Sequence, residues 1–458
     1  MSLLKKDLKV TGTNSLSSYF PIRTSSSEGA FDWDVAQGIV VRNIYKKEIA
    51  KSIRDAKNVD DKPEHSLTSF REACRSDFDS RLDEPELWAY INEMYFSGDA
   101  VYRVAPESLL FKLAGLTASS PKQRLGDMFS SLMQAFYVEK PARMKRNFLE
   151  QQVVDSLRSE NILTDYSGRR MSKGVNEKPY LPFLTDYFKQ DLSFLAAHPR
   201  YLIDNLEELL KLYAYLYTAQ MALNIKGWRS EPDSKPLYFI MENETASKER
   251  ADLVTNGHQR VAQQFKYLFP YLTVAESLQA PDAKANEHRL PLWELVAKLT
   301  EDDAPALKSY AKAFAEDRNK DGEYQFPYTE DNADPLYWLE IILNTSLRQF
   351  DKGETRAAAQ GKFINSTEQE LCSAFVKSRG QAGKILVMNQ DYLLLLTNLA
   401  IGEKPEKLRF HELLDEFQAR GVYFDKKTQQ SLIRFYERVG NVERMSDSGD
   451  AVYVRKTV

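Results

Sequence analysis

Two cysteines, Cys74 and Cys372, are all that the 458 residues contain, which excludes a disulfide framework and a cysteine-based zinc site. Both read as buried thiols of a reducing compartment, so a cytoplasmic location is the expectation. Histidine is scarce as well. His65, His198, His258, His288 and His411 form no H-x-x-x-H pair, and no G-x-S-x-G elbow is present. Long apolar runs are missing: the most apolar stretch, YLLLLTNLAI from Tyr392, is about ten residues where a membrane span needs about 20. The start, MSLLKKDLKV followed by TGTNSLSS, lacks the apolar core and cleavage site of a secretory signal. Nor is there an excess of positive charge. With 62 basic against 66 acidic residues the formal net charge is −4, so any binding of nucleic acid must be confined to a local patch.

What is present points to a folded, mostly helical chain. A hydrophobic content of 43% with 24 Tyr and 24 Phe rules out a disordered or fibrous class. The length predicts two to four domains at roughly 100–200 residues each. Residues 1–34 read as an arm whose Tyr19, Phe20, Phe31 and Trp33 dock on a body, because a disordered tail rarely carries so many large apolar groups. Residues 35–384 read as a helical body of one or two subdomains. Within it Ile39, Val40, Ile44, Ile49 and Ile53 recur at helical spacing and predict a helix over residues 39–56. The stretch from Tyr201 to Ile225 predicts a helix buried on several sides, with Tyr213, Tyr215 and Tyr217 as core residues. Leu237 to Met241, after a proline, reads as a short buried strand.

Several candidate sites fail on spacing. VKSRGQAGKIL ends like a phosphate loop, but Ser378 stands where Gly is needed and Ile385 where Ser or Thr would hold magnesium. A basic loop leading into an apolar element fits better, with Lys377, Arg379 and Lys384 free to touch a phosphate backbone. Asp317, Asn319, Asp321 and Gly322 make the first half of a calcium loop, yet Tyr328 occupies the place of the bidentate Glu. Glu242 and Glu244, at the end of the LYFIM strand, have the placement of nuclease carboxylates but lack the Lys expected two residues on. No cofactor is expected.

The last 74 residues, 385–458, carry the clearest pattern. A helix ended by Gly402 is followed by KPEKLRFHELLDEFQARG, whose Phe410, Leu413, Leu414 and Phe417 fall on one helical face and whose Gly421 supplies a left-handed stop. His411 should flank that face, half-buried. After GVYF, Asp425 is a good N-cap for a helix from Lys426 to Gly440. Thr428, Leu432, Phe435, Tyr436 and Val439 make its inward arc; Lys427, Gln430, Ser431, Arg434 and Arg438 make its outward one, with Lys426 at the start. Two short β runs around SDSGD then predict a hairpin, in which Asp447 and Asp450 are turn formers. The fold class expected is therefore mainly α, a multi-helix body with minor β content and a C-terminal winged helix-turn-helix-like unit. Lys426, Lys427, Gln430, Ser431, Arg434 and Arg438 are the candidate contacts to double-stranded DNA, the cations on phosphates and Gln430 on a base edge.

Taken together, SYFPIR and FDWDV near the start, the LYFIM segment, and the end FYERVGNVERMSDSGDAVYVR resemble the DptG family. That is the middle component of the three-protein restriction module that accompanies bacterial DNA phosphorothioation. The resemblance implies a role in antiviral defence beside DptF-like and DptH-like partners that supply ATPase or helicase functions. It carries no catalytic motif and so assigns no catalytic residue. The expected function is a non-catalytic DNA-binding or adaptor subunit. A cryptic metal-dependent nuclease using Glu242, Glu244 or Asp317 to Asp321, and a purely protein-binding scaffold, are the alternatives.

Overall fold

The computed structural model describes residues 4–5, 7–12, 16, 20–22, 31–54, 62–80, 86–116, 120–166, 177–246, 250–279, 288–318, 326–327, 331–351, 356–445 and 451–458. It is mainly helical, with small sheets. Two compact units emerge, one of residues 28–174 and 188–210 with 458, the other of 1–27, 175–187 and 211–457. Residues 385–457 thus share the larger unit with much of the expected body. Among the described residues no helix is long and apolar enough to cross a membrane.

The smaller unit contains α1 (Trp33–Tyr45), β1 (Lys47–Ile49), α2 (Lys51–Arg54), α3 (Lys62–Asp79), α4 (Leu87–Phe96), α5 (Arg124–Leu132), α6 (Phe148–Leu157) and β2 (Leu163–Asp165). Asp32 caps α1 by accepting from the Val35 amide at 3.0 Å. The helix expected over 39–56 stops early, because Lys46 turns left-handed at φ 51° and frees the next residues to pair as β1 with β2, Ile49 opposite Leu163. A Cβ on Gly38 of α1 would meet Leu113 at 2.8 Å and one on Gly126 of α5 would meet Ile39 at 2.4 Å, so α1 packs closely on the 106–113 and α5 segments. Phe70, stacked on Phe111 at 5.3 Å, fills the space beyond.

Helices α7 (Pro182–Ala197) and α8 (Pro199–Asn224) contribute residues to both units. In the larger one, Tyr213, Tyr215 and Tyr217 of α8 are fully buried, as their surroundings in the sequence suggest. Strand β3 (Leu237–Met241), α9 (Ala251–Thr255), α10 (His258–Leu278), α11 (Leu292–Val296), α12 (Ala304–Arg318), α13 (Pro335–Arg348) and α14 (Ala357–Ser366) follow. Then come β4 (Val376–Ser378), β5 (Lys384–Met388), α15 (Gln390–Ile401), β6 (Lys407–Arg409), α16 (Phe410–Ala419), β7 (Val422–Phe424), α17 (Lys426–Arg438), β8 (Val442–Met445) and β9 (Ala451–Arg455). Of the arm's described apolar residues, Leu4, Leu16, Phe20 and Ile22 are buried in this unit and Leu8 and Val10 half-buried, with the Phe20 ring centroid 5.5 Å from that of Phe363. Tyr19 lies outside the described residues, and Phe31 and Trp33 belong to the smaller unit.

Two sheets organise the larger unit. One has the order β4-β5-β3-β7, with β3 parallel to both β5 and β7 and β4 antiparallel to β5. Parallel strands need cover on both faces, and β3 and β5 are accordingly apolar and buried along nearly their whole length. The VKSRGQAGKIL loop is the hairpin joining β4 and β5, and its Lys384 is held by Glu368 at 2.6 Å. The second sheet, β6-β9-β8, is antiparallel throughout.

Gly421 lies in the turn from α16 into β7. It has φ +87°, and a Cβ there would come within 2.3 Å of the Gln220 side-chain amide. Gln220 in turn donates to the Lys235 carbonyl at 2.7 Å and accepts from its amide at 2.9 Å, aligning the entry to β3. Gly421→Ala therefore combines left-handed strain with displacement of that amide. We expect a loss of about 1–3 kcal/mol in urea unfolding; an unchanged midpoint would show that the turn tolerates a side chain.

Candidate nucleic-acid interface

Helix α17 forms where its sequence says it should. Asp425 caps it, accepting from the Thr428 amide at 2.9 Å. Thr428, Leu432, Phe435 and Tyr436 are buried, and the Tyr436 hydroxyl shares a buried 2.6 Å hydrogen bond with Thr397 of α15. Val439 departs from the expected inward arc. As the residue that closes the helix it projects outward and is exposed.

On the opposite face the six candidate contacts are brought together. Lys426, Lys427, Gln430, Arg434 and Arg438 are exposed and Ser431 is half-buried. Positions 427, 430, 431, 434 and 438 are spaced three, four, seven and eleven apart, which stacks them along one side of a helix. Ser431 returns its hydroxyl proton to the Lys427 carbonyl at 3.3 Å. The Arg438 guanidinium lies 5.8 Å from the Phe435 ring centroid. None of the four cations makes an ion pair among the described residues.

The neighbouring sheet differs. Lys407 and Arg455 converge on Glu443 at 3.0 and 2.5 Å, Arg444 pairs with Glu437, and Arg409 donates to the Tyr453 hydroxyl at 3.1 Å. The hairpin's cations are thus committed internally while those of α17 face solvent. The SDSGD tip, with Asp447 and Asp450, lies outside the described residues, as do Asn319, Asp321 and Gly322 of the half calcium loop.

Three expectations about the surroundings change. KPEKLR does not begin a helix; residues 407–409 pair with β9 as β6, because the last strand offers them a partner. GVYF is not a plain connection, since β7 aligns Val422, Tyr423 and Phe424 with Leu237, Tyr238 and Phe239 of β3. His411 is exposed rather than half-buried.

Sequence reasoning missed Arg250. Its side chain is buried, and it spans 175 residues to grip the start of α17. Nε and Nη2 donate to the two Asp425 carboxylate oxygens at 2.6 and 2.5 Å, Nη1 to Glu244 Oε2 at 2.9 Å, and Nη2 also to Thr428 Oγ1 at 2.5 Å. Thr428 Oγ1 closes the ring by donating to Glu244 at 3.1 Å. Glu244, considered for metal chemistry, here holds a helix in place, whereas Glu242 is exposed. Nothing local marked Arg250: a cation after SKE reads as solvated, and its partner lies in another element. Among the described residues no three His, Cys, Asp or Glu side chains converge to hold a metal.

The electrostatics follow the geometry. Burial alone would push the Asp425 carboxyl up, but hydrogen bonds from Arg250 and Thr428 outweigh it and hold the pKa below the ordinary 3.8. Burial would likewise lower Arg250, and its two carboxylates raise it instead. The stability supplied by ionised Asp425 is therefore complete above pH 3.8 and is lost as pH falls through the lower folded value.

No protein family profile matches the chain. One curated protein, the probable DNA-directed RNA polymerase subunit delta of Macrococcus caseolyticus (strain JCSC5402), is similar, at 27% identity over 67 residues. The match covers 15% of this chain and 39% of that subunit.

Removing Arg250 leaves the buried Glu244 and half-buried Asp425 carboxylates without their counter-charge. Arg250→Met should cost about 3–5 kcal/mol in urea unfolding at pH 7. Acid titration distinguishes the partners: Asp425→Asn should lack the loss of stability that the wild type shows below about pH 4. Parallel acid profiles for the two proteins would remove Asp425 from the account.

Proposed function

We propose that the chain is a non-catalytic DNA-binding subunit that presents α17 to duplex DNA from a winged helix-turn-helix-like unit, within a phosphorothioation-dependent restriction complex of the DptG type. The observation that carries the DNA reading is the outward row of Lys426, Lys427, Arg434 and Arg438, unpaired among the described residues, on a helix whose other face is buried. Unneutralised cations at helical spacing fit a regular array of phosphates, and Gln430 between them has the donor and acceptor to read an adenine edge. The order α15, β6, α16, β7, α17, β8, β9, with β6 placed against β9, supports the winged comparison. The strand β7 between the two helices is a departure from a simple turn.

The assignment to a restriction complex rests on the resemblance of the SYFPIR, FDWDV, LYFIM and C-terminal segments to DptG, as do the DptF-like and DptH-like partners. In that setting the chain holds DNA while its partners supply nucleotide-driven steps.

The protein should bind duplex DNA with a log–log salt slope of about −3 to −4, as expected for four phosphate contacts. Reversing Lys427, Arg434 and Arg438 to Glu should abolish binding and leave the circular dichroism spectrum unchanged. Retained affinity in the reversed protein would place the DNA site elsewhere. Co-purification with the two partner proteins tests the complex.

A further inference from the structure

The smaller unit carries a second cationic surface, of a different construction. From Tyr137 to Phe148 the sequence YVEKPARMKRNF holds Lys140, Arg143, Lys145 and Arg146 against Glu139, a local charge of +3 from four cations and one acid. The whole chain has a formal net charge of −4, so this concentration is local. Residues 137–147, between α5 and α6, form neither helix nor strand, and Phe148 opens α6. Its side chains alternate between exposed and half-buried from Pro141 to Asn147, the period of an extended chain lying on a surface. Lys140, Arg143 and Lys145 are exposed and make no ion pair among the described residues.

Both ends are fixed. The Val138 amide donates to the Ile44 carbonyl of α1 at 2.8 Å. At the other end Asn147 caps α6, accepting from the Glu150 amide at 2.8 Å, and its side-chain amide donates to the Tyr95 hydroxyl of α4 at 3.4 Å. The cations are therefore offered on a chain already ordered, which lowers the entropic cost of binding. At extended spacing they stand ~7–10 Å apart, far enough for each to meet a different phosphate.

Aromatic groups bracket the cations. Tyr137 is 52% and Phe148 65% exposed, and on α4, whose Tyr95 meets Asn147, Tyr90 is 70% and Met94 55% exposed. Tyr137 and Phe148 stand at the two ends of one cationic run, and large apolar side chains left this open there suit a partner. Aromatic faces separated by cations suit a polymer that presents flat rings and phosphates in alternation. A duplex keeps its bases stacked inside and offers only phosphates, whereas a single strand offers both.

We propose that Tyr137 to Phe148 is a binding strip for single-stranded nucleic acid, with Lys140, Arg143 and Lys145 on phosphates and Tyr137 and Phe148 stacking bases. It is separate in sequence from α17 and does not depend on the reading of that helix. Arg146 is half-buried, and burial, with Arg158 next, lowers its pKa against the opposing pull of Glu107, Glu150 and Asp155, so the exposed Lys140, Arg143 and Lys145 are the strip's contacts for a ligand.

The test uses the full chain carrying the Lys427, Arg434 and Arg438 reversals, so that α17 cannot contribute. Fluorescence anisotropy with labelled oligo-dT of thirty nucleotides, a duplex of equal length and phosphatidylserine vesicles separates the ligands. Oligo-dT should bind in preference to the other two. Reversal of Lys140, Arg143 and Lys145 should weaken it at least about tenfold, and Tyr137→Ala with Phe148→Ala at least about fivefold. Ultraviolet crosslinking of the same chain without strip mutations should yield oligo-dT adducts on peptides spanning residues 137–148. The proposal is overturned by absent oligo-dT binding, by equal or stronger binding of duplex or vesicles, by an aromatic variant of undiminished affinity, or by adducts confined to other peptides.

Discussion

Strand β3 is bonded on both edges, and that constraint organises the larger unit. Five residues, Leu237 to Met241, take residues 386–388 on one side and 422–424 on the other, both parallel. Parallel pairing requires connections that leave the sheet and return, and here α15, β6 and α16 make the return from β5 to β7. The terminal segment is therefore woven through the body's sheet instead of being appended to it. Gly421 and Arg250 act on the same joint. The glycine allows the chain to turn against Gln220 as it enters β7, and the arginine fixes the helix that leaves it.

Charge is distributed according to how each cation is used. Arg250 is buried with two carboxylates and a hydroxyl, and the sheet cations Lys407 and Arg455 share Glu443. Pairs of the second kind, open to solvent, contribute little stability. They do lower the positive potential of the hairpin, so the field of this region is concentrated on α17. The smaller unit repeats the principle on an extended chain, with aromatics added.

Much of this was legible where one element decides its own structure. The apolar spacing of α17, its Asp425 cap, the stop at Gly421 and the burial of Leu237 to Met241 are local signals, and the structure has each of them. The failures in assigning secondary structure share one cause. Ile49 looked helical until a strand from residue 163 offered it a partner, and KPEKLR and GVYF were likewise claimed by β9 and β3. Pairing between distant segments leaves no period of its own, and short strands of three residues are too brief to show alternation. Arg250 was illegible for the same reason, since its role exists only once β3 and α17 are adjacent. The outward face of α17 could be named residue by residue, because amphipathicity fixes both sides of a helix at once.

The double pairing of β3 also bears on how this chain can be divided. A fragment beginning at residue 385 would retain all but the first residue of β5, and β7, but lose the strand that separates them. Val422 and Phe424, buried in the intact protein, would then line a bare edge next to apolar surface. Such edges recruit strands from other molecules, so the excised piece would tend toward self-association. The cleft between its two orphaned strands could be refilled by a peptide spanning residues 237–241, supplied from outside.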